Sequence, residues 1–502
     1  MDKKRVLFSL ATILIIASFL RLYNLMPADN SGAFSPPGLY PDEAMNGNNA
    51  VEAIASGDWK VFYPENFGRE GLFINIQSLS IMALGNTPWA LRLPSAIFGI
   101  LTVLGLYLLT KAMFKDENPA LFSSFLLATS FWHLMFSRIG FRAIMAPAFL
   151  VWGLFLLIMA LEKFRIPSGL PEVKLARFPS ALILGGAVFG LGMYSYIAYR
   201  TTPLIVILIG YLYWKNNFSA RTEIIRSIAI FSVSALLVCL PLLAHFWSNP
   251  ADFFGRTSGI SVFNSESPLF DLGFNAVKTL GMLNVAGDFN WRHNFAGRPE
   301  LFLPVGLFFL FGLWLSARKI IRERFSAVNE ILIFGWLAVV ILPVIISNEG
   351  LPHALRSILM IPPVFILSAI GGLKIYDALR SVIHPKALSA IGYAFCAVLV
   401  LEVSAVYFVA WSNHPAVKES FNYRDFILSR QISSLPEGSL KFVVVPGTDR
   451  NIERDYPISL QAVLFLTDTF SAGSRERKNI FYLPPNQASN LKVSNGAYLL
   501  SL

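Results

Sequence analysis

Apolar residues run in continuous blocks along this chain, not in alternation with polar ones. The blocks approach the roughly 18 to 25 residues that carry a helix across the hydrocarbon core of a bilayer. They fall at Val6–Leu25, Pro88–Met113, Pro119–Phe136, Ala143–Leu161, Ser180–Ile197 and Thr201–Trp214. Further blocks at Ser227–Phe246, Leu301–Ser316, Val328–Ile346, Ser357–Leu373 and Ala387–Trp411 bring the expectation to about eleven transmembrane helices. A β-barrel would show short segments of alternating character, so the pattern predicts an all-α polytopic membrane protein. The first block follows Lys3-Lys4-Arg5 and has no small-residue cleavage pattern before Met26-Pro27, which reads as a retained anchor and not a signal peptide.

Composition points the same way. Of 502 residues, 55% are hydrophobic, 14% are charged and 43 are phenylalanine; a soluble globule of that makeup would expose large apolar patches. The net charge of +10 is largely topological. Lys3, Lys4 and Arg5 place the N-terminus in the cytoplasm by the positive-inside rule. Alternate connectors agree, with Lys163, Arg165, Lys174 and Arg177, then Lys215, Arg221 and Arg226, then Arg318, Lys319, Arg322 and Arg324, then Lys374, Arg380 and Lys386. Such charge faces membrane lipids and gives no support to a nucleic-acid partner. Cys239 and Cys396 fall inside spans, so the sequence offers neither an external disulfide framework nor a metal–thiolate site.

This topology exports residues 26–87, residues 247–300 and the tail from Ser412. The expected organisation is a transmembrane domain at 1–411, with a large first external loop bearing amphipathic helices, and a small external α/β domain at 412–502. The tail carries Lys441–Val445 as a strand, a helix near Ile458–Leu466, and short apolar runs at Ile480–Leu483 and Tyr498–Leu502. In the second external loop, Leu269–Leu283 reads as an interfacial amphipathic helix with aromatic neighbours.

Two features carry chemistry. The first is Tyr40-Pro41-Asp42-Glu43, ahead of a helix expected to run to about Ser56. Asp42 stands where an N-cap belongs, so its carboxylate either caps the helix or belongs to a pair of which one member faces a substrate hydroxyl while the other orients it, binds a cation or meets an arginine. The second is a set of arginines in short external connectors, Arg138, Arg142, Arg200 and Arg356. Cations at that level need a partner: each either snorkels to headgroups or pairs with a carboxylate, or the set binds a phosphate. Tyr194 and Tyr196 read as an interfacial belt or as sugar-flanking groups.

Asp42-Glu43 after the first span, then Gly68-Arg69-Glu70-Gly71-Leu72, an amphipathic segment to Leu84, and Arg92-Leu93-Pro94-Ser95 entering the second span resemble the C-type glycosyltransferases close to protein O-mannosyltransferases and aminoarabinose transferases. Gly190-Leu-Gly-Met-Tyr194-Ser-Tyr196-Ile-Ala-Tyr-Arg200 and Leu351-Pro352-His353-Ala354-Leu355-Arg356-Ser357 extend the resemblance. It implies a multispan membrane enzyme that moves a sugar from a polyprenyl-phosphate donor to an acceptor hydroxyl of a glycan, lipid or protein on the external face, normally with inversion. Asp42 is then the matching catalytic base and Glu43 its helper. Arg138, Arg142, Arg200 and Arg356 are candidates for the donor phosphate, and Arg69, Glu70, Tyr194 and His353 for the substrate.

The pattern departs from many relatives at Arg69-Glu70-Gly71-Leu72, where they carry Lys-Pro-Pro-Leu. Arg142-Ala143 replaces an acidic residue that some of them place there, which weakens the case for a divalent metal without removing it; a divalent metal stays an open cofactor, and no residue is assigned to one. Two other classes fit the composition: a transporter or flippase for a lipid-linked sugar, and a non-catalytic glycolipid-binding assembly protein. Neither repeated halves nor broken midplane helices are evident to support the first.

Overall fold

The computed structural model describes residues 2–25, 34–165, 178–445, 452–453, 456–489 and 496–502. Lys174, Arg177 and the first residues of the loop that begins at Met26 lie outside the described residues. Among the described residues, nine helices are long and apolar enough to cross a membrane. The chain is a multi-pass helical membrane protein. Its outward surfaces fit a lipid solvent: on the first helix, α1 (Lys3–Leu22), Leu7, Phe8 and Ile15 are each more than half exposed, which water would penalise and acyl chains do not.

Two of the expected spans are built from shorter pieces. Pro119–Phe136 divides into helices Glu117–Ala128 and Phe131–Phe136. The break falls at Ser130, whose hydroxyl accepts from the His133 amide at 3.3 Å and so starts the second helix. Ser180–Ile197 becomes helix Phe178–Leu191 followed by 3-10 turns at Gly192–Tyr194 and Ile197–Thr201.

The chain divides into two compact units. The larger comprises Met1–Arg21, Ala96–Ser137 and Arg142–Val406. Its helices approach closely where glycine removes the side chain. A Cβ on Gly371 would stand 2.0 Å from the Phe308 carbonyl oxygen, and one on Gly312 would stand 1.9 Å from that of Leu367, so helices Leu303–Glu323 and Ile361–Leu379 meet backbone to backbone. Small residues at a crossing are how membrane helices gain van der Waals contact when lipid competes equally for apolar surface. The second long connector forms helices Pro250–Gly259 and Pro268–Gly281; the latter exposes Leu269, Phe270, Val277 and Leu280, as an interfacial helix requires.

The smaller unit comprises Leu22–Ser95, Arg138–Phe141 and Tyr407–Leu502. Its first half contains helix α2 (Pro41–Ser56), the short antiparallel pair β1 (Phe62–Tyr63) and β2 (Arg69–Glu70), and helix α3 (Leu72–Leu84). Pro41 at the first helical position gives up an amide that has no helical partner there, and Gly57 ends α2 in the left-handed conformation at φ 75°. In the tail, Lys441–Val444 is the central strand of a three-stranded parallel sheet, flanked by Ile480–Leu483 and Tyr498–Ser501. The tail helix Gln461–Leu466 packs on α2: Phe465 joins Ala44, Ala50, Ile74 and Leu91 in one apolar cluster, and Asn48 donates to both oxygens of Gln461.

Gly371→Val is expected to destabilise the protein by about 1–3 kcal/mol through overpacking against the Phe308 carbonyl. Gly392→Ala, whose nearest neighbour would be a Tyr376 ring carbon at 3.9 Å, should leave stability unchanged. Thermal unfolding of both variants in detergent checks the contrast.

Candidate active site

Helix α2 begins two residues earlier than a cap at Asp42 would require. Tyr40 is the N-cap residue and Asp42 is the second helical position, so the capping role passes to Glu43, whose Oε2 accepts from the Tyr40 amide at 3.3 Å. Glu43 is wholly buried, and its carboxylate accepts from Arg92 Nε and Nη2, each at 2.9 Å, and from the Gly140 amide at 2.7 Å. Arg92, also wholly buried, completes its fork by donating to the carbonyls of Pro36 at 2.7 Å and Gly38 at 2.9 Å. A buried ion pair holds only if its remaining donors and acceptors are met, and here four further bonds meet them. Asp42 differs: from Pro41 to Ala50 it is the one residue that is not buried.

The loop residues brace the same helix. Arg69 donates to Asn46 Oδ1 and Asn49 Oδ1, both at 2.5 Å, one helical turn apart on α2. Asn46 in turn donates to the Gly140 carbonyl at 3.1 Å. Glu70 is buried in β2 opposite Phe62. The Gly71 amide donates to the Val61 carbonyl at 2.7 Å, a bond that a proline at this position would forfeit. Strand pairing therefore goes with the departure from Lys-Pro-Pro-Leu. Arg138 is wholly buried; it donates to the carbonyls of Tyr23 at 2.7 Å and Ser35 at 2.8 Å and lies over the rings of Tyr407 and Phe408.

The larger unit holds the other expected residues. Tyr194 is buried and donates to the Val238 carbonyl at 2.8 Å. Arg142 and Arg200 are half-buried; Arg200 donates to the Phe253 carbonyl at 2.9 Å and lies over the rings of Phe246 and Phe253. Arg356 donates to Ser347 Oγ, to the Glu349 carbonyl at 3.0 Å and to the Glu349 carboxylate at 2.6 Å, the latter side chain being 62% exposed. His353 lies beside Asp288 and His293, and these three present metal-ligating atoms within 4.8 Å of one another. The nearby Glu300 carboxyl is held well above the usual carboxylate range, chiefly by burial.

Sequence reasoning passed over Asn46, Asn49 and Gly140 as braces, and Asp288 and His293 as partners of His353. Arg92 stood in the Arg-Leu-Pro-Ser element without a role.

The structure resembles that of ArnT from Cupriavidus metallidurans bound to undecaprenyl phosphate, with a TM-score of 0.53 at 14% identity, covering 100% of this chain and 93% of that one. It also resembles the Archaeoglobus fulgidus oligosaccharyltransferase, with a TM-score of 0.52 at 17% identity, over 94% of this chain and 65% of the other. The chain has the C-type glycosyltransferase fold. Residues 72–247 match the family described as dolichyl-phosphate-mannose-protein mannosyltransferase. The chain is similar to undecaprenyl phosphate-alpha-4-amino-4-deoxy-L-arabinose arabinosyl transferase 2 of Proteus mirabilis, at 24% identity over 61% of this chain and 55% of that one. A related arabinosyl transferase of Pseudomonas aeruginosa matches at 26% identity over 48% of this chain and 41% of its own. The chain thus spans about half the length of the curated relatives it matches.

Arg92→Met leaves the Glu43 carboxylate buried without its counter-ion, and such a break costs about 3–5 kcal/mol. The double variant Glu43→Gln/Arg92→Met should recover part of that loss. A double-mutant cycle on unfolding in detergent gives the coupling, and additivity of the two single changes would contradict the pairing.

Proposed function

We propose that the protein is a membrane glycosyltransferase that moves a sugar from a polyprenyl-phosphate donor to an acceptor hydroxyl, with inversion, on the external face of the membrane. The observation that carries this reading is the division of labour between adjacent carboxylates. Glu43 is consumed by Arg92, the Gly140 amide and the start of α2, whereas Asp42 keeps access to solvent on a helix whose orientation those bonds fix. A general base needs hydrogen-bond reach and a defined position more than an unusual pKa. In this proposal Asp42 takes the acceptor proton as that oxygen attacks the anomeric carbon, and the sugar–phosphate bond breaks.

The leaving polyprenyl phosphate gathers negative charge, which donors fixed in advance stabilise. Arg142, Arg200 and Arg356 are the arginines proposed for this task, since a guanidinium fork matches phosphate oxygens. Arg138 and Arg69 are assigned to bracing, because buried carbonyls and amides already take their donors. The relatives named as undecaprenyl-phosphate arabinosyl transferases and the ArnT structure bound to undecaprenyl phosphate support a lipid-phosphate donor. Glycan, lipid and protein hydroxyls remain acceptor classes within the proposal. The tail at 412–502 is proposed as an external α/β domain that supports the loop carrying Asp42.

Purified wild-type and Asp42→Asn proteins, incubated with radiolabelled polyprenyl-phosphate sugars and membrane extract, test the reading. Wild type should release sugar from the lipid, and the variant should lose release while its melting temperature and donor binding persist. Full release by Asp42→Asn would remove the base. Donor binding without release by wild type, for every sugar tried, would identify a binding protein instead.

A further inference from the structure

We infer that Asp288, His293 and His353 form a binding site for one divalent transition-metal cation of the zinc class, which clamps the loop following Gly287 to the turn that carries Arg356.

The first argument is where the lone pairs point. Asp288 Oδ2 lies 3.0 Å from His293 Nδ1 and 3.8 Å from His353 Nδ1. The two imidazoles stack at 4.8 Å between centroids with planes 30° apart, so both rings present the same nitrogen to one carboxylate oxygen. His353 Nδ1 also faces the Arg356 amide at 3.4 Å in the geometry of an acceptor. That makes it a lone-pair nitrogen, and it stands opposite a carboxylate oxygen. Two lone-pair atoms facing each other repel unless a cation lies between them.

The second argument is spacing and hardness. Tetrahedral zinc takes nitrogen and oxygen donors at about 2.0–2.2 Å, which places neighbouring ligand atoms about 3.3 Å apart by simple tetrahedral geometry. The two separations from Asp288, 3.0 and 3.8 Å, bracket that value, and all three ligand atoms lie within 4.8 Å of one another. Two imidazoles and one carboxylate suit zinc or its first-row neighbours. Calcium and magnesium, which favour all-oxygen shells, are poorly served.

The third argument is that the ligands stand on a built scaffold. Asp288 and His293 are buried, and Asp288 Oδ2 also accepts from the Ala354 amide at 2.9 Å, the kind of outer contact that orients a ligating carboxylate. The Asp288 amide donates to Glu300 Oε1 at 3.0 Å, and its carbonyl accepts from the Gly297 amide at 2.9 Å and from Asn294 Nδ2 at 3.3 Å. Gly287 is required by this turn, because a Cβ there would stand 2.0 Å from the Arg298 carbonyl. Arg356 follows His353 in the same turn, with the Ser357 amide bonded to the His353 carbonyl at 3.2 Å. A cation on His353 therefore stiffens the segment that aims the Arg356 guanidinium. The site is independent of the proposed sugar transfer, and its failure would leave that reading standing.

The test uses full-length, tag-free protein in detergent, stripped with a chelator and then titrated with ZnCl2, with metal counted by mass spectrometry after desalting. One zinc per chain is expected. His293→Gln and Asp288→Asn should each weaken binding by at least roughly tenfold, and His384→Gln, an exposed histidine elsewhere, should change nothing. Co2+ in place of zinc should give the visible absorption of a tetrahedral nitrogen and oxygen site in wild type, which serves if a variant fails to fold. Zinc should also slow hydrogen exchange at residues 287–298 and 353–357. Failure of wild type to hold a stoichiometric metal would overturn the inference, as would the same stoichiometry and affinity in His293→Gln/His353→Gln.

Discussion

A carboxylate and a guanidinium placed where water cannot reach them must satisfy each other and then satisfy every remaining donor and acceptor, or the fold loses several kcal/mol per ion. Glu43 and Arg92 are under that constraint, both wholly buried. Once paired, they draw in the carbonyls of Pro36 and Gly38, the amide of Gly140 and the amide of Tyr40. Those groups come from stretches that share no secondary structure, so the pair fixes the entry of α2 more firmly than helix propensity could. Successive residues on a helix diverge by about 100°. With Glu43 committed inward, Asp42 has one direction left, and it is the direction that keeps solvent access.

The same accounting explains the other buried arginines. Backbone carbonyls without helical partners are strong acceptors that must be met, and the irregular segments at Tyr23 and Ser35 supply two of them to Arg138. Arg21, wholly buried in the larger unit, is met by the carbonyls of Ala17 and Ala128 and by His133 Nδ1 at 2.8 Å. Arg69 uses two asparagine oxygens instead, spaced so that both fall on one face of α2. Arg138 thus closes a place where the chain is neither helix nor sheet, whereas Arg21 and Arg69 use the same planar fork to fasten helices.

Much of the helical architecture was legible in the sequence because the bilayer imposes it: a long apolar run has few ways to satisfy its backbone in lipid except as a helix. The ends of α2 near Ser56 and of α3 at Leu84 and the apolar strand at Lys441–Val444 were legible from local pattern, whereas the start of α2 lies ahead of the expected cap at Asp42. Two spans were drawn too long because hydropathy does not register a serine cap such as Ser130 or a run of 3-10 turns after Leu191. The partners of the arginines were not legible at all. A carbonyl acceptor has no residue identity to read, and Asp288 reaches the amide of Ala354 across 66 residues with no local signature. The pairing of Glu43 with Arg92 was half-legible: both residues stood in recognisable elements, and only the helical phase tells which of two adjacent carboxylates turns inward.

An arginine can serve a phosphate only by giving up what it already holds, and the free energy of that exchange differs from one arginine to another. Arg138 would have to strand the buried carbonyl of Ser35, at about 1–3 kcal/mol when left without a donor, and the part-buried carbonyl of Tyr23. Arg356 Nη2 would release only the carboxylate of Glu349, whose side chain is 62% exposed and returns to water at little cost, while Nη1 keeps Ser347 Oγ and the Glu349 carbonyl. A solvent-facing ion pair is therefore a stand-in that a dianionic phosphate can displace, whereas a buried fork on backbone carbonyls is a fastening. By this measure Arg356 is the arginine whose partners are suited to exchange, and the four connector arginines, alike in the sequence, are unlike in what they can do.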